Sequence, residues 1–124
     1  MALQARSYAN AHVIPLVGRL DHDNSEAYRA DLLSQIERHA AAGTAIVLDL
    51  SGLQYVSSAG LRVFMLATRQ AKAQGSRVLV AAARPTVAEI FLISRFNLIL
   101  SIHPTLREAL AAASDEAAEA FEKG

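Results

Sequence analysis

The chain has 124 residues, 52% of them hydrophobic and 19% charged, with twelve basic residues balancing twelve acidic ones and no cysteine. That length and mixture fit one compact domain with a real core and exclude a disordered chain. They also exclude disulfide, thiol-nucleophile and zinc-thiolate chemistry, and no Lys/Arg run marks a nucleic-acid or membrane surface.

The N-terminal residues MALQARSYANAH hold no apolar run of signal-peptide length, and Arg62, Arg84 and Arg95 interrupt the longest apolar stretches. The expectation is a soluble cytoplasmic protein with no membrane insertion. Residues 3–8 predict a weak first strand with Ala9-Asn10 as its turn. AHVIPLV, 11–17, predicts a second strand in which Pro15 calls for an edge position or a bulge. GRLDHDN, 18–24, is rich in turn formers. From Ser25 to Ala42 the apolar residues Tyr28, Leu32, Ile36 and Ala40 recur every fourth position, a helical period with Asn24 or Ser25 as N-cap and Gly43 as its stop.

TAIVLDL, 44–50, reads as a strand buried on both faces. A helix follows from about Ser58 to Gln74, closed by Gly75, and RVLVAAA, 77–83, is another buried strand. Two capping-box patterns, Thr86-x-x-Glu89 and Thr105-x-x-Glu108, predict two further helix starts, with NLILSIH, 97–103, as the strand between them. Residues 113–124 extend the last helix or fray. Alternating strands and helices predict one α/β domain over residues 1–124. Its sheet is largely parallel, with the first strand or two as an antiparallel edge.

The join YVSSAGLRVF, 55–64, sits where a strand's carboxyl end enters a helix, a favoured place for function in such sheets. Three readings of Ser57 and Ser58 are open. A serine there can simply cap the helix, which stabilises it by about 1 kcal/mol. It can be a nucleophile, making the protein a small serine hydrolase, but the elbow pattern G-x-S-x-G has Val56 in place of its first glycine, and no histidine is placed as a base. Or it can accept a phosphoryl group of about −1.5 to −2 charges, which helix amides tolerate while the surface changes sign.

The helix pattern favours a docking surface. Leu61, Phe64, Met65, Thr68 and Ala71 share the expected core side, and Val63 and Leu66 fall outside that arc. Ser58, Arg62 and Leu66 climb one stripe with Arg69 beside it. In the preceding loop, Asp21, His22 and Asp23 read as turn and cap chemistry, since three consecutive residues do not converge on one metal ion.

LVGRLDHDNSE followed by IVLDLSGLQYVSSAGLRVF, with the later RPTVAEIFLISRFNLIL, resembles a STAS domain of the stand-alone bacterial anti-sigma-factor antagonist type, over about residues 11–112. The resemblance implies a four- or five-stranded mixed sheet with about four helices, no catalysis and no cofactor of its own. It implies partner switching: the unphosphorylated antagonist binds an anti-sigma factor that is also a serine kinase using ATP and magnesium. Phosphorylation releases it, and a phosphatase resets it. The acceptor carries over to Ser58, two places before Gly60, and the turn acid of the G-x-L-D pattern to Asp21. The family's Asp-Ser-Ser/Thr-Gly is Ser57-Ser58-Ala59-Gly60 here, so Ser57 stands as an alternative acceptor. The expected partner surface comprises Asp21, Ser57, Ala59, Gly60, Arg62, Val63, Leu66 and Arg69, with no metal. A STAS subunit regulating a membrane transporter or its ATPase is the alternative role, and a monomer or weak dimer the expected state.

Overall fold

A computed structural model describes residues 5–124. β1 (Arg6–Tyr8), β2 (Ala11–Leu20), β3 (Ala45–Val56), β4 (Val78–Ala81) and β5 (Ser101–His103) form one sheet in the order β1-β2-β3-β4-β5. Among the described residues only β1 is antiparallel to its neighbour; β2 to β5 run parallel. The expected start of β1 at Leu3 lies outside the described residues.

Helices cover both faces, which is why the central strands read as continuous apolar runs. Ile46, Leu48 and Leu50 point to one side, under α1 (Ser25–His39), α2 (Ser58–Ala73) and α3 (Pro85–Ile93). Ala45 and Val47 point to the other, under α4 (Leu106–Ala113) and α5 (Asp115–Lys123). Among the described residues five α-helices replace the expected four, because the C-terminal segment neither continues α4 nor frays. Ser114 is extended at φ −170° and ψ 154°; its Oγ accepts from the Ala117 amide at 3.0 Å and donates to Asn10 Oδ1 at 2.7 Å. A new cap therefore starts α5, and Phe121 closes on Tyr8 edge-on at 5.4 Å.

Pro15 sits at a bulge. The β2–β3 ladder shifts register between Pro15 and Val17, past the end of β1, which reaches only Val13. The Tyr28 hydroxyl donates to the Val17 carbonyl at 2.5 Å and accepts from the Val17 amide at 2.8 Å, satisfying backbone groups beside the irregularity. Burial pushes its ionisation above the usual phenol value.

Other boundaries differ from the sequence reading. β2 and β3 run on to Leu20 and Val56, well past the expected Val17 and Leu50. β4 stops pairing at Asp49, so the outer half of β3 is held by β2 alone, and its residues turn polar on the exposed face. α1 ends at His39, where Ala40 becomes extended. Thr105 accepts from the Glu108 amide at 3.1 Å as its capping pattern predicts. Thr86 does not cap: the N-cap falls two residues earlier, on Arg84, and α3 begins on Pro85, whose fixed φ suits the first helical position. The strand expected at 97–103 shrinks to 101–103, because Arg95 turns left-handed at φ 64° and Phe96–Leu98 forms a 3-10 turn.

At one corner His12 of β2 and His39 of α1 lie 4.9 Å apart between ring centroids, and Ser7 Oγ contacts His12 Nδ1 at 2.8 Å. Partial burial, then the positive potential of His39, holds His12 below the usual histidine value. The native state thus favours neutral His12, so stability falls as pH drops through the unfolded-state value of about 6.5. Thermal melts between neutral and mildly acid pH should show a larger loss in wild type than in His12→Gln; parallel curves would refute the linkage.

A candidate phosphoacceptor and partner-docking site

The site forms where the two longest strands end side by side. The Ser57 amide donates to the Leu20 carbonyl at 2.9 Å, tying the end of β3 to the end of β2 just before the Asp21 turn. α2 then leaves at once. Its third residue, Gly60, lies so close to β2 that an added Cβ would stand 2.8 Å from both Leu20 Cγ and the Leu20 carbonyl oxygen, and 2.9 Å from Val56 Cγ1. No larger residue fits without moving backbone, so Gly60 sets how tightly the helix entrance seats on the strand ends.

The two serines divide their labour. Ser57 is half-buried and extended at φ −87° and ψ 176°, and its Oγ accepts from the Gly60 amide at 3.2 Å. It is the N-cap. Ser58, the first helical residue, is exposed, and its hydroxyl makes no hydrogen bond among the described residues.

Asp21 braces its own turn. Its Oδ1 accepts from the Asp23 amide at 3.0 Å and the Asn24 amide at 3.2 Å, while Oδ2 stands 3.7 Å from Arg19 Nε. Asn24 returns the bracing, accepting from the Asp21 amide at 2.9 Å and donating to the Arg19 carbonyl at 2.6 Å. This is Asx-turn chemistry, as the sequence predicts. Asn24 therefore precedes α1 without a side-chain cap bond to it.

Below Ser58 a groove of about 650 Å³ opens between α1 and α2. Ala59, Arg62, Val63 and Leu66 form one wall, and Glu26 and Arg29 contribute to the other. Arg29 donates to Glu26 at 2.7 Å. That bond and the Arg29 charge, with a smaller pull from Arg62 across the groove, hold the Glu26 carboxyl below its usual range.

Four of the residues expected on the partner surface thus line the groove, with Ser58 adjacent in sequence to Ala59. Arg69 is exposed further along the helix, and Leu66 is half-buried rather than free. Val63 is corrected: it is 2% exposed and belongs to the core, with only an edge toward the groove. The buried face of α2 is Gly60, Val63, Phe64, Ala67 and Ala71, turned from the predicted arc because α1 packs against the Val63 side. Leu61, Met65 and Thr68 are only half-buried.

The α1 wall was missed. Its signal is the Glu26–Arg29 pair at i,i+3, which in sequence looks like any solvated helix pair until α1 and α2 are set side by side. Among the described residues no helix is long and apolar enough to cross a membrane, and no group of three or more His, Asp or Glu could hold a metal.

The family profile described as "Mlab, STAS domain" matches residues 3–102. The chain is 39% identical over 100 residues to BtrV of Bordetella bronchiseptica, a protein that bears the name of an anti-sigma factor antagonist; the match covers 79% of this chain and 81% of that one. An anti-sigma factor antagonist from Mycobacterium paratuberculosis superposes with a TM-score of 0.79 at 19% identity, over 92% of this chain and 94% of its own. The antagonist SpoIIAA in its unphosphorylated form superposes with a TM-score of 0.67 at 26% identity, over 88% and 93% of the two chains, and a phosphorylated form of Bacillus SpoIIAA has also been solved. Anti-sigma factor antagonists are non-enzymatic regulators. Matched along most of its length in sequence and in fold, the chain belongs to the STAS domain family, among the anti-sigma factor antagonists.

Proposed function

We propose that this protein binds an anti-sigma factor through the Ser58 end of α2, and that phosphorylation of Ser58 by that same partner, a serine kinase using ATP and magnesium, dissolves the complex. A phosphatase would then restore the binding form, and the bound form frees a sigma factor for transcription. One observation carries the choice of residue: Ser57 spends its oxygen on the helix cap, whereas Ser58 is exposed with an uncommitted hydroxyl. Asp21 reaches the same end of the molecule through the Leu20–Ser57 bond, beside the groove lined by Arg62 and Leu66. A dianion at Ser58 would change the sign of this surface without disturbing the core.

The experiment captures the kinase by pull-down, incubates it with the antagonist, ATP and magnesium, and maps the phosphate by tandem mass spectrometry. The expected result is a single phosphate on Ser58, retained in Ser57→Ala and absent in Ser58→Ala. Phosphate on Ser57 of the wild type would overturn the assignment. Recovery of a transporter ATPase in place of a kinase would overturn the role.

A further inference from the structure

Two exposed groups at the head of the groove are uncommitted. The Ser58 hydroxyl makes no hydrogen bond, and the Arg62 guanidinium joins neither a hydrogen bond nor an ion pair among the described residues. They stand four positions apart on α2, the spacing at which helix side chains meet. Helical Cα–Cβ bonds tilt toward the N-terminus, so the Arg62 side chain leans toward the turn that carries Ser58. An acid placed four residues before a base is also the stronger of the two orders on a helix. Ser57 lacks this register, standing five positions before Arg62, and its oxygen accepts from the Gly60 amide.

The other charged groups nearby are engaged elsewhere. Arg29, the second arginine lining the groove, donates to Glu26 at 2.7 Å. Asp21 accepts from the amides of its own turn and stands beside Arg19. His22 also lines the groove but is largely neutral at pH 7. In the unmodified protein Arg62 faces Glu26 across the groove, and its charge adds a small share to what holds that carboxyl low. Glu26 offers one negative charge, shared with Arg29; a phosphoryl group on Ser58 offers about two, one helical turn away. The guanidinium fork also matches phosphate oxygens in pairs. We infer that phosphorylation draws Arg62 from the Glu26 side of the groove onto the Ser58 phosphate, so that one modification both adds a dianion and relocates a cation. This rests on the reading of Ser58 as the phosphoacceptor. The partner then meets a groove altered in two places: an ion pair covers the helix entrance, and the α2 wall has lost its guanidinium.

Phosphorus NMR titration of the full chain, with phosphoserine built in at position 58 by peptide ligation, tests it without a kinase. The second ionisation of phosphoserine lies near pH ~6. It should come about 0.3 pH units lower in the otherwise wild-type protein than in Arg62→Gln, because the pair favours the dianion. Arg62→Lys should fall between them, keeping the charge without the fork. Arg69→Gln removes an equal charge about 16 Å along the helix, beyond the screening length at roughly 0.1 M salt, and should titrate as wild type. Arg62 and Arg69 are both exposed, so neither change touches the core. Identical titrations of wild type and Arg62→Gln would overturn the inference, as would an equal shift from Arg69→Gln. A kinase that modifies a different residue would sink the proposed function and leave this measurement standing.

Discussion

Ser58→Asp should weaken binding to the anti-sigma factor by at least about tenfold, and the phosphorylated protein should bind more weakly still, because its charge is about twice as large. Ser58→Ala should bind within about threefold of wild type, since a bare hydroxyl on an exposed position contributes little. The native fold has no objection to the charge. Ser58 is exposed and opens α2, where amides and the helix dipole favour an anion. The cost arises only in the complex, where the anion loses water and meets whatever the partner presents to an uncharged serine. A tenfold loss requires only about 1.4 kcal/mol, well within what one unpaired interfacial charge costs. Calorimetric titration of the four forms against the purified partner measures it. Equal affinities for wild type and the phosphorylated protein would end the switch mechanism.

Gly60→Ala should destabilise the domain by about 1 kcal/mol: overpacking of about 2 kcal/mol, the middle of its usual range of about 1–3, is partly offset by the roughly 1 kcal/mol that alanine gains over glycine in a helix. Gly60→Val, with more bulk and no comparable propensity gain, should cost more. The clash is at 2.8 Å with a backbone oxygen, Leu20 O, that already accepts the Ser57 amide at 2.9 Å. Relief therefore means parting α2 from the end of β2, which separates the Asp21 turn from Ser58. Partner affinity should fall together with the urea midpoint in both variants. An alanine variant with wild-type stability and binding would show that the joint is more forgiving than its distances indicate.

The alternation of apolar runs, the four-residue period of α1 and the Thr105 cap are local patterns. They come from hydrogen bonds and side-chain spacing within a few residues, so the linear chain contains them. The strand–helix join at 55–64 and its small residues were visible for the same reason.

The sequence by itself determined the α/β order, the parallel core strands and the position of a serine-bearing helix entrance. The tertiary structure decided which serine is committed to capping, why Gly60 tolerates nothing larger, and that Val63 belongs to the core. It also supplied the second wall of the groove from α1 and broke the apolar run 97–103 into a 3-10 turn and a short edge strand. Each of these depends on what packs beside a residue rather than what precedes it. An apolar run reads the same whether it is buried as a strand or half-exposed as a corner, and only neighbours distant in sequence settle which.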